Sequence, residues 1–314
     1  MKKKLKILIT GGAGYIGSTL TPYLLENNFD LTVVDTFQYS QTSLNSFYKY
    51  KNLDVIKGDV RDSRVMNELL NKNDIIIPLA AVVGAPACDF DESSAESINK
   101  KSILSLLKLK SKDQIIIMPT TNSAYGSGDE NNYCDENTKL KPISKYAIDK
   151  VEIEKELMSK INVISLRLAT VFGMSPRMRI DLLVNDFVYK AIKDKFIVLY
   201  ESHFKRNYIH LADVSKAFLH SINNFESMKN NIFNVGLSNA NISKKELCEK
   251  IKKFIPDLEI IEKDFIKDPD QRNYIVSNKK IESTGFNPDM NIEDGIQELI
   301  KGYKSLKKYT YGNI

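Results

Sequence analysis

The chain has 314 residues, a hydrophobic content of 42% and a formal net charge of +5. These values predict a globular protein with a sizeable core, either one large α/β domain or a nucleotide-binding domain with a smaller lobe. The lysines are dispersed and no arginine-rich stretch occurs, which argues against nucleic-acid binding. No segment approaches the roughly 18 apolar residues of a membrane span.

Cysteine and histidine are sparse and do not have the spacing of metal ligands. They are Cys88, Cys134, Cys248, His203, His210 and His220. This usage predicts a reduced, cytoplasmic protein without structural zinc. The lysines at residues 2–4 resemble the start of a signal peptide, but the apolar run behind them is short and predicts a core strand.

A glycine-rich turn follows the first apolar run, Lys6–Thr10, which predicts a buried parallel strand. Glycines at positions 11, 14 and 17 precede a predicted helix over 18–27. A sharp turn, close approach of a pyrophosphate to the backbone, and tight helix packing all favour glycine there. Asp35 ends the next apolar run, where a carboxylate can bind ribose hydroxyls. This context predicts a dinucleotide site.

Strands and helices alternate along the following residues. We predict strands at 31–34, 55–56, 75–79, 114–118, 163–168, 197–199 and 232–236. We predict helices at 64–71, 92–109, 144–158, 181–194, 243–254 and 291–307, and a strand edge followed by a helix at 209–223. The alternation predicts an α/β fold with a Rossmann-type, doubly wound parallel sheet, which binds ligands at the carboxyl ends of its strands.

A tyrosine and a lysine, Tyr146 and Lys150, share one face of a predicted helix for which Ser144 is the expected N-cap. A phenol has an ordinary pKa of about 10. We expect a neighbouring ammonium and a nicotinamide cation to lower the pKa of Tyr146, so that it can take a proton from a substrate alcohol. The same ammonium can also bind the nicotinamide ribose.

Chance produces the same spacing elsewhere, at Tyr189 with Lys193 and at Tyr303 with Lys307. We expect both of these pairs on exposed helix surfaces. Thr121 distinguishes the first pair, because it follows the fifth predicted strand and its hydroxyl can orient the reacting oxygen. The sequence therefore predicts Thr121, Tyr146 and Lys150 as the catalytic group.

The combined motifs resemble the extended short-chain dehydrogenase/reductase family, whose members are mostly nucleotide-sugar epimerases, dehydratases and dehydrogenases. The resemblance covers nearly the whole chain, and the motifs that carry it are the glycine turn, Asp59-Val60, Leu79-Ala80-Ala81, Thr121 before Tyr125-Gly126, Tyr146 with Lys150, the residues 167–173 and 206–210, and Arg272. It implies NAD as cofactor, held by Gly11, Gly14, Tyr15, Ile16, Gly17, Asp35, Asp59, Val60, Leu79, Ala80, Ala81, Tyr146 and Lys150. It implies substrate contacts from Asn122, Ser123, Arg177, Arg179, Arg206 and Arg272, with the last two on the diphosphate.

Departures from the family pattern reduce the number of reactions that we expect of this chain. In the family's 4,6-dehydratases an Asp and a Glu follow the catalytic Thr and eliminate water, but here Asn122 and Ser123 take their places. An amide and a hydroxyl are poor acids and bases at neutral pH, so we predict no 4,6-dehydration. Pro78 and Thr170 also depart from the family's usual His and Asn, and the second change puts the usual hexose contacts in doubt.

Within the family, segments 78–88 and 174–179 are most similar to the GDP-heptose 4-dehydrogenases of bacterial capsule synthesis. The resemblance implies oxidation of a sugar at C4, and a C4 epimerase without net redox is the alternative; a non-catalytic NAD-binding protein is disfavoured by the intact catalytic group. Asp35 favours NAD over NADP. We expect an NAD-binding domain at 1–170, an interleaved substrate lobe at 171–314, and a homodimer or larger homo-oligomer formed through helices 92–109 and 144–158.

Overall fold

A computed structural model describes residues 4–127, 132–263 and 272–305, although the side chains of residues 85 and 86 are outside the description. The strands are β1 (Lys6–Thr10), β2 (Asp30–Asp35), β3 (Leu53–Lys57), β4 (Ile75–Pro78), β5 (Ile115–Thr121), β6 (Val163–Leu168), β7 (Thr170–Phe172), β8 (Phe196–Tyr200), β9 (Lys205–His210), β10 (Asn231–Val235), β11 (Asn241–Ser243) and β12 (Glu259–Lys263).

The α-helices follow the same alternation. They are α1 (Gly17–Glu26), α2 (Ser63–Leu70), α3 (Ala85–Phe90), α4 (Glu92–Glu96), α5 (Ser102–Leu109), α6 (Lys145–Leu157), α7 (Leu183–Lys193), α8 (Leu211–Asn223), α9 (Phe225–Met228), α10 (Lys244–Phe254), α11 (Lys279–Glu282) and α12 (Ile292–Ser305). Short 3₁₀ turns cover Asn45–Phe47 and Asn122–Tyr125, and a π-helical turn covers Ser97–Lys101.

Seven of the described strands form one parallel sheet in the order β10-β6-β5-β4-β1-β2-β3. Its central strands are apolar runs because helices cover both faces, so Ile7, Leu8 and Ile9 are all fully buried. This sheet confirms the predicted α/β fold class. The order reverses beside β1 and β4, and the predicted site residues cluster around this carboxyl edge.

A smaller lobe is built on two short sheets, one with the order β11-β9-β7 and one that pairs β12 with β8. It packs around its own apolar cluster, which includes Phe172, Tyr208 and Leu247. The chain crosses between the two parts, because β10 follows β7, β8 and β9 in sequence and precedes β11 and β12, and yet it completes the large sheet beside β6. The proposed boundary at residue 170 stays a prediction.

Two expectations about helices are wrong in part. The helix predicted at 92–109 is divided into α4 and α5 by the π-helical turn Ser97–Lys101. Tyr189 and Tyr303 do not lie on exposed surfaces, because they are 8% and 0% exposed and their rings meet edge-on at 5.4 Å in the core of the smaller lobe. An apolar ring is more stable in that core than in water. Lys307 is outside the described residues.

Candidate active site

The glycine turn joins β1 to α1 at the carboxyl edge of the sheet. Gly11 has a φ of 70°, and a Cβ atom there would lie 2.6 Å from the backbone nitrogen of Ala80. A Cβ atom on Gly17 would lie 2.5 Å from the carbonyl oxygen of Gly11. Only glycine fits at these two positions, which leaves bare backbone at the start of a helix. The first amide groups of a helix lack helical acceptors and form a binding site for an anionic phosphate.

Tyr15 and Ile16 lie between these glycines, and both side chains pack within the protein. The Tyr15 hydroxyl donates to the carbonyl of Gly173 at 2.8 Å and accepts from Asn185 at 3.2 Å. The ring is therefore buried in the smaller lobe, while Ile16 packs against both cores. Their contribution to the cofactor stays a prediction.

Asp35 ends β2 beside the glycine turn. Its carboxylate accepts hydrogen bonds from the N–H groups of Ala13 at 3.0 Å and Phe37 at 2.9 Å. Burial raises the pKa of Asp35, and these two bonds oppose that change. A fixed carboxylate next to bare backbone fits the ribose and pyrophosphate of a dinucleotide. The residues present thus fit the predicted cofactor.

Three other predicted cofactor segments follow neighbouring strands. After β4, the N–H of Ala80 donates to the Thr10 hydroxyl at 3.3 Å, which holds residues 79–81 against the glycine turn. After β3, Asp59 forms an ion pair of 2.6 Å with Arg61, which lowers the pKa of Asp59. Val60 packs against the core beneath it. All of these segments lie at the same edge of the sheet.

The helix α6 carries the predicted tyrosine and lysine. Ser144 caps it by accepting a hydrogen bond from the N–H of Ala147 at 3.3 Å, which confirms the predicted N-cap. The Lys150 ammonium lies 5.9 Å from the centre of the Tyr146 ring. Tyr146 is half-buried and Lys150 is buried. The i, i+4 spacing therefore places both groups on one face, as the sequence indicates.

Burial dominates the electrostatics of this pair. It raises the pKa of Tyr146 to about 12 and lowers the pKa of Lys150 to about 8. The expected lowering of the Tyr146 pKa depends on a nicotinamide cation as well as the lysine, so it stays a prediction for the cofactor-bound protein; in the protein alone the loss of solvation dominates. The charges that do lower the pKa of Tyr146 belong to Arg179 and Arg272. Both of these predicted substrate residues consequently lie in reach of the catalytic phenol.

Thr121 ends β5 and begins the 3₁₀ turn Asn122–Tyr125. Its hydroxyl accepts a hydrogen bond from the Ser123 N–H at 3.1 Å, and α6 packs against this strand. Asn122 is 1% exposed, and within the described part of the chain neither atom of its side-chain amide has a hydrogen-bond partner. The Ser123 hydroxyl accepts a hydrogen bond from Arg272. The turn thus joins the catalytic threonine to a predicted substrate arginine.

The four predicted substrate arginines have different immediate partners. Arg179 pairs with Asp181 at 2.7 Å, while Arg206 lies 5.7 Å from the centre of the Tyr274 ring. Arg206 and Arg272 both oppose the rise in the Tyr208 pKa that burial causes, so the charges of both act on the same side chain. The remaining arginine, at position 177, lies beside the predicted ribose site instead.

Sequence reasoning missed a buried polar network beneath the catalytic residues. The Glu154 carboxylate accepts hydrogen bonds from Thr120 at 2.9 Å, from Ser165 at 2.7 Å and from Arg167 at 3.1 Å. Arg167 in turn donates to the Tyr125 hydroxyl at 3.0 Å. A signal was present, because Glu154 lies eight residues after Tyr146 on the same helix face. The network joins α6 to β5 and β6.

A second missed feature is Asn99, which the π-helical turn presents to the loop after β4. Its side chain accepts from the Val82 N–H and donates to the Val82 carbonyl, both at 2.8 Å. The Cys88 thiol donates to the same carbonyl at 3.4 Å and affects the pKa values of Tyr146 and Lys150. The stretch 82–88 therefore borders the catalytic pair. Nothing local in the sequence indicates this contact.

Comparisons with known proteins agree with this geometry. The profile of the NAD dependent epimerase/dehydratase family matches residues 7–236. The chain belongs to this family. The family therefore confirms NAD as the cofactor and a nucleotide-sugar enzyme as the class of protein, in agreement with the resemblance drawn from the motifs.

Relatives within the family differ in their reactions. A putative UDP-glucose 4-epimerase of Methanocaldococcus jannaschii is 27% identical over 95% of this chain and 98% of its own length. A dTDP-D-glucose 4,6-dehydratase of Dictyostelium discoideum is 26% identical over 97% of this chain and 82% of its own. The fold matches the UDP-glucuronic acid 4-epimerase of Bacillus cereus with a TM-score of 0.86, at 20% identity over 96% and 100% of the two chains.

Other sequence predictions concern metals, cysteines and membranes. The described residues contain no cluster of acidic, histidine or cysteine side chains that could hold a metal ion. All three cysteines are buried, and none of them forms a disulfide within the described ranges. None of the helices in the described ranges could cross a lipid bilayer.

Proposed function

We propose that this chain uses NAD to oxidise the C4 hydroxyl of a nucleotide-linked sugar to a ketone. The sugar we expect is GDP-heptose, on the way to capsular polysaccharide precursors, because segments 78–88 and 174–179 are most similar to enzymes of that kind. One of these segments borders Tyr146 through Cys88, and the other supplies Arg179. Both therefore contain residues that lie where the sugar ring would meet the catalytic group.

One observation carries the proposal. The residues needed for hydride transfer are all present, whereas the acid pair of the 4,6-dehydratases is absent. Tyr146 and Lys150 share one face of α6, and Thr121 ends the adjacent strand β5. Asn122 and Ser123 stand where the family's 4,6-dehydratases have carboxylic acids. Elimination of water needs groups that exchange protons near neutral pH, and an amide and a hydroxyl do not.

Three side chains move and orient the proton in this scheme. Tyr146 takes the proton from the C4 hydroxyl, and the Thr121 hydroxyl orients that oxygen. Because burial holds the pKa of Tyr146 at about 12, positive charges must favour the phenolate, and Arg179 and Arg272 supply part of that effect. Lys150 adds to it when it is protonated, below a pKa of about 8.

The cofactor would lie along the glycine turn, with Asp35 on its ribose and residues 79–81 lining the cleft. NAD, when bound, accepts the hydride and brings the positive charge of its nicotinamide ring. Arg206 and Arg272 would bind the substrate diphosphate, a task for which planar guanidinium groups are suited. Asn122 would offer its amide to the sugar, since that amide is buried without a partner among the described residues.

The second candidate is a C4 epimerase, which makes the same ketone and then returns the hydride to the opposite face. The putative 4-epimerase from M. jannaschii, which is similar over 95% of the chain, favours this alternative. The two reactions use the same catalytic residues and differ in whether the keto sugar leaves the site. Product analysis separates them: a released 4-keto sugar supports the dehydrogenase, and an epimer without net redox supports the alternative.

We also propose a homodimer or larger assembly formed through the π-interrupted helix α4–α5 and through α6. Ile148 on α6 is 38% exposed and Phe90 at the end of α3 is 84% exposed, so apolar surface is present beside these helices. Light scattering at micromolar concentration tests this proposal. A monomer at every concentration would reject it.

The first experiment identifies the substrate. Mass spectrometry of the nucleotide released from the purified protein should show NAD or NADH. A screen of GDP-, UDP-, CDP- and dTDP-sugars should then yield turnover with a GDP-heptose. Turnover confined to a UDP-sugar would reject the GDP-heptose assignment, and retention of no dinucleotide together with no turnover would reject the enzyme assignment.

A further inference from the structure

The segment 175–177 lies across the glycine turn, although the two are far apart in sequence. The Ser175 hydroxyl donates to the Tyr15 carbonyl at 2.8 Å, over a separation of 160 residues. Ser175 and Ser18 hydroxyls are 3.0 Å apart, and the Arg177 N–H donates to the Ser18 hydroxyl at 3.3 Å. Ser18 is completely buried. The backbone of Arg177 is therefore fixed on the first turn of α1.

The Arg177 side chain extends from this anchor toward the ribose end of the cleft. Its guanidinium lies 4.7 Å from the centre of the Tyr39 ring, and Nη1 donates to the Met178 carbonyl at 2.7 Å. The residue is 5% exposed, whereas Tyr39 is 42% exposed. The guanidinium charge also lowers the pKa of Asp35, so the cation and the carboxylate lie close to each other.

This environment destabilises the charged guanidinium and favours the binding of an anion beside it. Burial lowers the pKa of Arg177, which means that the charged form has lost solvation it would have in water. The start of α1, where its backbone is anchored, is a site that favours phosphate groups. A planar guanidinium held against an aromatic ring can bind two phosphate oxygens with little further loss of conformational freedom.

We propose that Arg177, stacked on Tyr39, binds the diphosphate of NAD from the side opposite the glycine turn and slows release of the cofactor. This assigns to the cofactor a residue that the family resemblance implied for the substrate. The proposal rests on NAD binding by this chain. Tyr39 acts as a positioning residue in this proposal, because its ring lies against the guanidinium and orients it.

The test compares ligands that all contain adenosine, some with a diphosphate and one without any phosphate. Holoenzyme loaded with labelled NAD is challenged with unlabelled NAD to obtain the release rate, and with ADP-ribose or adenosine to obtain their affinities. Arg177→Met should speed NAD release and weaken ADP-ribose binding by roughly tenfold to a hundredfold, the effect of one hydrogen-bonded charge. Adenosine affinity should stay as in the wild-type protein.

Variants at the ring and a distant control complete the design. Tyr39→Ala should reproduce part of the Arg177→Met effect, and Tyr39→Phe, which keeps the ring, should behave as the wild type. Arg64→Met is the matched control, because the Arg64 side chain is 92% exposed. Unchanged ADP-ribose affinity in Arg177→Met would overturn the proposal, and so would equal losses for adenosine and ADP-ribose.

The result of this test can be distinguished from a failure of the proposed function. A protein that binds ADP-ribose through Arg177 but makes no 4-keto sugar contradicts the proposed reaction and leaves this inference standing. A protein that makes the 4-keto sugar and releases NAD at the same rate in Arg177→Met contradicts only this inference.

Discussion

Two walls of the candidate site differ in how their polar groups are satisfied. The cofactor wall consists of residues 11–18, Asp35 and residues 79–81, and the protein's own backbone fixes it: the Asp35 carboxylate accepts two N–H groups. The proposed substrate wall consists of Asn122, Ser123, Arg179, Arg206 and Arg272. There the Asn122 amide is buried without a partner among the described residues.

The difference lies in one side chain, because Asn122 has no hydrogen-bond partner among the described residues, whereas Ser123, Arg179, Arg206 and Arg272 have partners. Buried polar groups are stable when they are hydrogen-bonded, so the cofactor wall costs little in the protein alone. An unpartnered buried amide destabilises the fold until a polar ligand reaches it. We therefore expect changes on the catalytic face to affect rate, changes beneath it to affect stability, and changes on the substrate wall to affect substrate affinity.

The largest effect should come from Tyr146→Phe, which removes the proton acceptor between the two walls. Loss of general base catalysis should lower kcat by roughly a hundredfold to ten-thousandfold, while NAD remains bound. Tyr303→Phe is the matched control, because the Tyr303 hydroxyl is buried without a partner in the described ranges. If Tyr146→Phe turned nucleotide sugars over at the wild-type rate, the catalytic assignment would be wrong.

The next effect concerns the buried network around Glu154, which joins α6 to β5 and β6. Glu154→Gln removes the carboxylate from a network in which Glu154 and Arg167 are 4% and 3% exposed. An unpaired buried guanidinium should reduce the free energy of unfolding by about 3–5 kcal/mol, as measured by urea denaturation. The control, Glu156→Gln, breaks an exposed pair with Lys160 and should change little. Equal stabilities for the two variants would contradict a structural role for the network.

A pH effect should follow from the buried ammonium of Lys150. Its folded-state pKa of about 8 lies below its ordinary value of 10.5, so the unfolded chain binds more protons between these values. The free energy of unfolding should therefore rise with pH from about 8 to about 10.5, by about 3 kcal/mol relative to Lys150→Met. Denaturation of both proteins across this range measures the difference. Parallel pH profiles would show that Lys150 titrates as an ordinary lysine.

The smallest effect should come from Arg272→Lys on the substrate wall. A lysine keeps the charge but loses the planar pair of donors that also reaches Ser123. The KM for the nucleotide sugar should rise by about tenfold with little change in kcat, since this contact acts on ground state and transition state alike. NAD retention should not change. A fall in kcat at constant KM would place Arg272 in the chemical step instead.

Much of the fold could be predicted because its signals are local. Apolar runs mark the central strands, and the bounds of β6 at Val163–Leu168 match the prediction. The strands β11 and β12 were missed, because one has three residues and the other reads Glu-Ile-Ile-Glu-Lys with mostly exposed positions. Such edge strands depend on their partners more than on their own hydrophobicity.

The candidate site likewise contains features that the sequence predicts and features that only the folded structure shows. The glycine turn, Asp35 and the Tyr146–Lys150 pair have fixed spacings that a single sequence displays. Asn99 and Cys88 meet through the Val82 carbonyl, which only the folded chain brings between them. Burial raises the pKa of Tyr146 in the protein without cofactor, an effect of tertiary packing that residue spacing does not report.

Product analysis with purified protein, NAD and a GDP-heptose tests the central claim most directly. We predict a nucleotide sugar that has lost two hydrogens, carries a ketone at C4 and gives back the parent sugar or its epimer on borohydride reduction. Product that has lost water would show that Asn122 and Ser123 do not prevent dehydration. An epimer of unchanged mass, with no keto sugar released, would establish the epimerase and contradict net oxidation.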